Sequence, residues 1–226
     1  MLLKRSYTPE LMDDFSILDE RIDQALIELK IINKFLGGNA TSKMGFAELL
    51  EKIPKNSCVN ILDAGSGASD IILSIREDYS NLNIYGLDLN YRACIYAKNN
   101  SPDVRMICGN VLNAPFKNAK FDLAHASLFL HHFKEEDIKI IIVKLLDSAR
   151  YGLIINDLRR SIPAYWGIKI LTFLFSQSKL VKNDAPVSVR RGFIKPELKK
   201  ILNELNIKNY QIKRTHMFRW LIVIFK

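Results

Sequence analysis

An apolar strand that runs into Asp63-Ala64-Gly65-Ser66-Gly67, with a helix start directly behind it, constrains this chain more than any other stretch. The segment Ile61 to Asp70 reads as strand, glycine-rich turn and helix, the unit that presents a ligand at the carboxyl edge of a parallel sheet. A dinucleotide fingerprint would place its third glycine where this sequence has Asp70. A carboxylate there faces the pyrophosphate that such a helix N-terminus would otherwise attract. The turn therefore suits an adenosine ligand that carries no phosphate, S-adenosylmethionine, better than NAD.

A second acid stands where that ligand needs it. Leu82 to Leu87 form an apolar-rich strand that ends in Asp88, and Asp88 lies 21 positions after Gly67. A carboxylate at the tip of the neighbouring strand accepts hydrogen bonds from both ribose hydroxyls, the role of the acid about 20 residues on in doubly wound folds.

From Cys58 the chain alternates strand and helix. Strands are predicted near 58–63, 82–88, 104–108, 121–127 and 151–157, with helices near 69–79, 90–100 and 134–148. This alternation predicts an α/β fold: a Rossmann-like, doubly wound, mostly parallel seven-stranded sheet with helices on both faces. Two closing strands, near 207–213 and 216–225, form an antiparallel pair at the edge, after a helix near 196–205. Ahead of the sheet, Leu11, Phe15, Leu18, Ile22, Leu26, Leu29, Ile32 and Leu36 recur at helical spacing, predicting one amphipathic helix from Pro9 to Phe35 that Gly37-Gly38 stops. A shorter helix follows from Thr41 or Ser42 to Ile53. Ser161 to Leu180 reads as a strongly apolar helix, followed by a polar turn around Lys182 to Pro186. The expected organisation is one domain, 1–226, with a helical cap (1–55), a cofactor-binding core (56–158), a lid insertion (159–195) and a closing helix with edge strands (196–226).

Composition narrows the setting. At 226 residues, 48% hydrophobic and 25% charged, the chain can bury one substantial core. Its three cysteines, Cys58, Cys94 and Cys108, form no CxxC pair and suggest neither a disulfide framework nor a zinc site. Pro9, Glu10, Asp13 and Asp14 interrupt the N-terminal stretch, so no secretory signal is expected and a cytoplasmic setting is. Ile168 to Phe175 and Leu221 to Phe225 are the most apolar runs, both far short of the roughly 18 to 20 residues of a spanning helix, so no transmembrane segment is expected. A net charge of +9 invites nucleic acid or an anionic surface, but the charges are spread along the chain, and nucleic acid is not the expected partner.

Together these residues resemble the class I S-adenosylmethionine-dependent methyltransferases, in the small-molecule branch similar to the ubiquinone and menaquinone biosynthesis enzymes. The similarity covers about residues 58–158. Its first motif falls on Asp63, Gly65 and Gly67 and its ribose acid on Asp88; the adenine segment looks like Gly109-Asn110-Val111 through Pro115-Phe116, and the segment after the fourth strand like Phe121-Asp122-Leu123 through His131-His132-Phe133. By this resemblance the cofactor is S-adenosylmethionine, released as S-adenosylhomocysteine, with no metal. Asp63, Ala64, Gly65, Ser66, Gly67, Ser69, Asp88, Leu89, Gly109, Asn110, Val111, Ala126 and Ser127 are the cofactor-binding residues. Two positions depart from the pattern. Ser69 replaces a glycine, and is expected to offer its N–H and hydroxyl to the methionine carboxylate; Asn110 replaces an aspartate and keeps an acceptor for the adenine amino group.

Methyl transfer is an in-line displacement that needs alignment and exclusion of water, and a phenolic acceptor also needs a base. His131 or His132, just past the fourth strand, is the candidate for that proton, while His125 inside the strand reads as a packed residue. Arg159 is a candidate contact for an acidic acceptor or for the lid, and Trp166 for the acceptor itself. The expected function is methylation of oxygen, less favourably carbon, of a small apolar acceptor, aromatic or polyketide-like, enclosed between the N-terminal helix and the inserted one. An RNA or protein methyltransferase, and a non-catalytic cofactor-binding module, stand as the alternatives, and nothing in the spacing selects an oligomeric state.

Overall fold

The computed structural model describes residues 4–54, 57–116 and 118–226; the expected boundary between residues 55 and 56 lies outside the described residues. Five parallel strands, β1 (Val59–Ala64), β2 (Leu82–Asp88), β3 (Val104–Cys108), β4 (Phe121–Ser127) and β5 (Ala149–Leu158), are completed by β6 (Tyr210–Thr215) and β7 (Arg219–Phe225). They form one sheet in the order β3-β2-β1-β4-β5-β7-β6, with β7 antiparallel to both β5 and β6. The chain reverses direction across the sheet between β1 and β4, and that switch opens the crevice at their carboxyl ends.

Strand periodicity sorts side chains to two faces. Leu221 and Val223 of β7 join Leu123 and Ile154 on one face, packed on Phe46 and Leu49 of α2 (Gly38–Leu50) and on Ile72 and Ile75 of α3 (Asp70–Arg76). Gly45 permits this close approach, since a Cβ there would lie 2.6 Å from Ile154 Cγ2. Trp220, Ile222 and Ile224 face the other way, with Leu153 and Ile155, onto Ile138, Ile141, Ile142 and Leu145 of α5 (Glu135–Ser148) and Leu198, Ile201 and Leu202 of α8 (Lys195–Glu204). α4 (Tyr91–Asn100) covers β2 and β3.

Three expectations need correction. The N-terminal helix is not continuous from Pro9. A short 3₁₀ turn, Leu11–Asp13, precedes α1 (Glu20–Phe35), because the acids take on turn roles: Asp13 accepts the Glu10 N–H, Asp14 the Ser16 N–H, and Asp19 caps α1 by accepting the Arg21 N–H. The insertion is two helices, α6 (Ile162–Phe175) and α7 (Lys179–Arg191). It breaks where Glu28 of α1 accepts the N–H groups of Gln177 and Ser178, and Ser178 in turn caps α7. The polar turn expected around Lys182 to Pro186 is helical, with Pro186 buried inside α7 at the cost of one backbone bond.

Candidate active site

The turn after β1 is held by its neighbours. Gly65 sits at φ +69, and a Cβ there would lie 2.1 Å from the Phe129 ring, so only glycine fits beneath that aromatic. The Gly65 N–H donates to Leu87 O at 2.8 Å, and the Gly67 N–H donates to Asp88 Oδ2 at 2.8 Å. Asp88 Oδ1 accepts the Asn90 N–H at 2.9 Å. Burial raises the Asp88 carboxyl above its ordinary range, against the pull of those two N–H donors. Asp63, at the end of β1, is pinned by His125 Nδ1 at 2.6 Å, and His125 Nε2 meets Ser42 Oγ at 2.9 Å. His125 is fully buried, as its place inside a strand implied.

Ser69 departs from expectation. It is buried, its N–H donates to Ser66 O at 2.7 Å inside the loop, and its hydroxyl lies 3.5 Å from Met106 Sδ of β3, so both donors already have partners. Asn110 Oδ1 accepts the Leu112 N–H at 2.9 Å and shapes the turn after β3.

A cavity of about 420 Å³ opens above the β1–β4 switch. Its floor is Asp63, Gly65, Ser66, Gly67, Asp70 and Ser127. Its roof is the inner faces of α1, α6 and α7, including Leu29 and Ile32, Ile168 and Leu171, and Val181 and Val189. Ala64 and Ala126 are fully buried and off its wall, and Asp88, Leu89, Gly109, Asn110 and Val111, at or just past the ends of β2 and β3, are off it too. Trp166 is not in the cavity. Positions 164, 167, 168 and 171 share the inward face of α6, which turns Trp166 outward, where it is 51% exposed. Arg159 is also off the wall, stacked on Phe218 at 5.0 Å, and it is Phe218 that lines the cavity.

His131 and His132 are brought together on the wall, their ring centroids 4.3 Å apart. His131 is buried; its Nδ1 lies 2.7 Å from Asp157 Oδ1 and its Nε2 3.6 Å from Glu10 Oε1. Burial alone would lower the imidazolium, but the two carboxylates outweigh it and raise His131 to about 9. His132 Nδ1 meets Asp13 Oδ1 at 2.8 Å. Arg191 closes the group, reaching Asp13 Oδ2 at 2.6 Å and standing 3.8 Å from Glu10 Oε1. Glu10, His131 and His132 each place a ligand atom within 4.8 Å of the others, a donor set able to hold a divalent cation, with the Arg191 guanidinium beside it.

Sequence reasoning missed Glu10, Asp13, Asp184 and Arg191. The one signal was Asp157, an acid ending the apolar strand β5 and completely buried. Glu10 and Asp13 were visible only as interruptions of an apolar run. Asp184 Oδ1 and Oδ2 accept the Leu11 and Met12 N–H groups at 2.8 and 2.9 Å, a contact across 173 residues that no local pattern carries.

Residues 61–152 match the sequence model of the family described as "Methyltransferase domain". No curated protein matches the sequence significantly. Among solved structures, the chain is similar to the plantazolicin methyltransferase BpumL with a monoazolic desmethylPZN analog and SAH, at TM-score 0.68 and 13% identity over 95% of this chain and 98% of that one. It is also similar to magnesium protoporphyrin IX methyltransferase ChlM from Synechocystis PCC 6803 with bound SAH, at TM-score 0.58 and 15% identity over 84% of each. The CurJ carbon methyltransferase aligns at TM-score 0.62 and 13% identity, over 83% of this chain and 53% of that one. With its sheet order and its glycine turn, the chain therefore shares the fold of these methyltransferases, and residues 61–152 of it match the methyltransferase-domain family.

Proposed function

We propose that this chain binds S-adenosylmethionine along the Gly65–Gly67 turn and methylates an oxygen, less favourably a carbon, of a small apolar acceptor held beneath α1, α6 and α7. The observation that carries this reading is the cavity, which joins the glycine turn, an apolar roof and a carboxylate-supported histidine in one space. The residues suit the cofactor. A Cβ at Gly67 would meet only Leu26, at 3.7 Å, so the turn is open on that side. Asp70 Oδ2 and Ser127 Oγ, on wall residues, are buried polar atoms with no hydrogen-bond partner. Asp88 spends one lone pair per oxygen on backbone N–H groups, which leaves acceptor capacity for two ribose hydroxyls. Asn110 and Val111 flank the adenine position.

When bound, S-adenosylmethionine supplies a methyl carbon activated by its sulfonium. The apolar roof excludes water and aligns the acceptor. His131 is the base: Asp157 orients its Nδ1, so Nε2 would take the acceptor proton as the oxygen–methyl bond forms and the sulfur–methyl bond breaks, leaving the neutral thioether of S-adenosylhomocysteine. Free of ligand, the ring keeps its own proton to about pH 9. The neutral ring that can accept a proton therefore becomes more abundant as pH rises toward that value, so the rate is expected to rise with pH.

Single-turnover assays with methyl-labelled cofactor over a panel of phenols and apolar alcohols test the proposal. Labelled product is expected, with His131→Gln slowing the step by roughly 10²–10⁴-fold and removing its rise with pH. An unchanged rate at every pH removes the base role. Label appearing in added RNA points to the nucleic-acid reading, and cofactor binding without turnover on any acceptor to a non-catalytic module.

A further inference from the structure

Of the lid helices, α6 is apolar on both sides, and α1 carries an outer apolar stripe among charged residues. Leu29 and Ile32 of α1 and Ala164, Ile168 and Leu171 of α6 line the cavity. The opposite faces carry Ile27, Ile31 and Phe35 on α1, and Trp166, Ile170, Phe173, Leu174 and Phe175 on α6, between 44% and 79% exposed. A helix that is apolar all round, as α6 is, belongs in a core or a lipid environment, and exposed apolar side chains grouped on one face mark an interaction site. The two outer faces are fastened together. Glu28, between Ile27 and Ile31 in sequence, accepts the N–H groups of Gln177 and Ser178 and the Ser176 hydroxyl just past the end of α6.

Charge selects the occupant. Between Asp157 and Asp184 the sequence has Arg159, Arg160, Lys169, Lys179 and Lys182 and no acid at all. Lys169, Lys179 and Lys182 are exposed, as are Lys30 and Lys34 of α1. Lys169 Nζ lies 5.1 Å from the Trp166 ring centroid, pairing an ammonium with an indole as at the headgroup level of a bilayer, where both residue types concentrate. Two copies meeting through this face on a two-fold axis would set the same lysines against each other, whereas lipid phosphates would neutralise them. Among the described residues no helix is long and apolar enough to cross a membrane, so the fit is to a surface.

We infer that the outer faces of α1 and α6 dock onto an anionic phospholipid surface, with the aromatic and aliphatic side chains at the acyl boundary and the lysines among the phosphates. Sedimentation of the full chain with phosphatidylcholine vesicles, with and without phosphatidylglycerol, tests this. The expected result is retention on the phosphatidylglycerol vesicles that weakens as salt is raised. Binding should fall by about tenfold or more in the double variant Phe173→Ser, Phe175→Ser, and by roughly fivefold per residue in Lys169→Gln and Lys179→Gln. Thermal melts followed by circular dichroism confirm folding, and the lysine variants and the salt series decide the matter should the serine variant fail to fold. Absence of wild-type binding overturns the inference, as does equal binding to both vesicle types with no effect of the lysine changes. A wild-type dimer in sedimentation velocity that the serine variant dissolves, with no vesicle retention, assigns the face to a second copy and equally overturns it.

Discussion

Position 69 places a serine where the backbone asks for glycine. At φ 62 Ser69 is in the left-handed region, and its hydroxyl gains only a contact with a methionine sulfur. Ser69→Gly is expected to leave the melting temperature unchanged or raise it, a gain of up to about 1 kcal/mol once relief of strain is set against added chain entropy. Asp88 behaves oppositely. Asp88→Asn keeps the shape, yet weakens the acceptor of the Gly67 N–H and of the two ribose hydroxyls proposed for it, so cofactor affinity should fall roughly 10–100-fold by calorimetry. The places of Asp63, Gly65, Gly67 and Asp88 at the strand ends and in the turn could be read from sequence because they follow from a local turn and a fixed spacing. The errors at Ser69 and Trp166 share one cause: residue type shows what a side chain can do, while the backbone angle at 69 and the helix face at 166 decide where it points.

Among the elements, the 3₁₀ turn at Leu11–Asp13 and α7 work as a pair. Asp184 holds the turn by two N–H groups, and Arg191 ties Asp13 to the backbone carbonyls of His131 and His132. Asp184→Ala is expected to cost about 1–3 kcal/mol in a denaturant titration and to abolish hydrogen-exchange protection at Leu11 and Met12. Turnover should fall with it, since Glu10 is carried on the same segment. Neither element could be read correctly beforehand. The apolar spacing of residues 11–36 is helical throughout, and only the competing carboxylates of Asp13, Asp14 and Asp19 divide it. The break at Ser176–Ser178 depends on Glu28, some 148 residues earlier.

On the scale of the molecule, strand and helix alternation gave the parallel sheet and its antiparallel edge, since each buried strand is an apolar run bounded by turn residues. His131 joins three distant parts, bonding Asp157 of β5 and approaching Glu10 of the N-terminal segment. Its raised value makes stability depend on pH in a definite direction. The folded state binds its proton more tightly than the unfolded chain, whose histidines titrate near 6.5, so the contribution is complete below about pH 6.5 and is lost as pH rises toward 9. Wild-type melting temperature should decline across that window more steeply than that of His131→Gln.

The contacts of residues 5–13 also set an order of events during synthesis. Arg5 bonds the carbonyls of His131 and Arg191, the latter 186 positions away, so this stretch leaves the ribosome long before its partners exist. It must wait, solvated, until α7 has emerged and folded. The chamber over the glycine turn thus closes only after α7 and the β6–β7 turn that lines it have emerged, and a fusion partner joined directly ahead of Arg5 is expected to slow that closure more than formation of the central parallel strands.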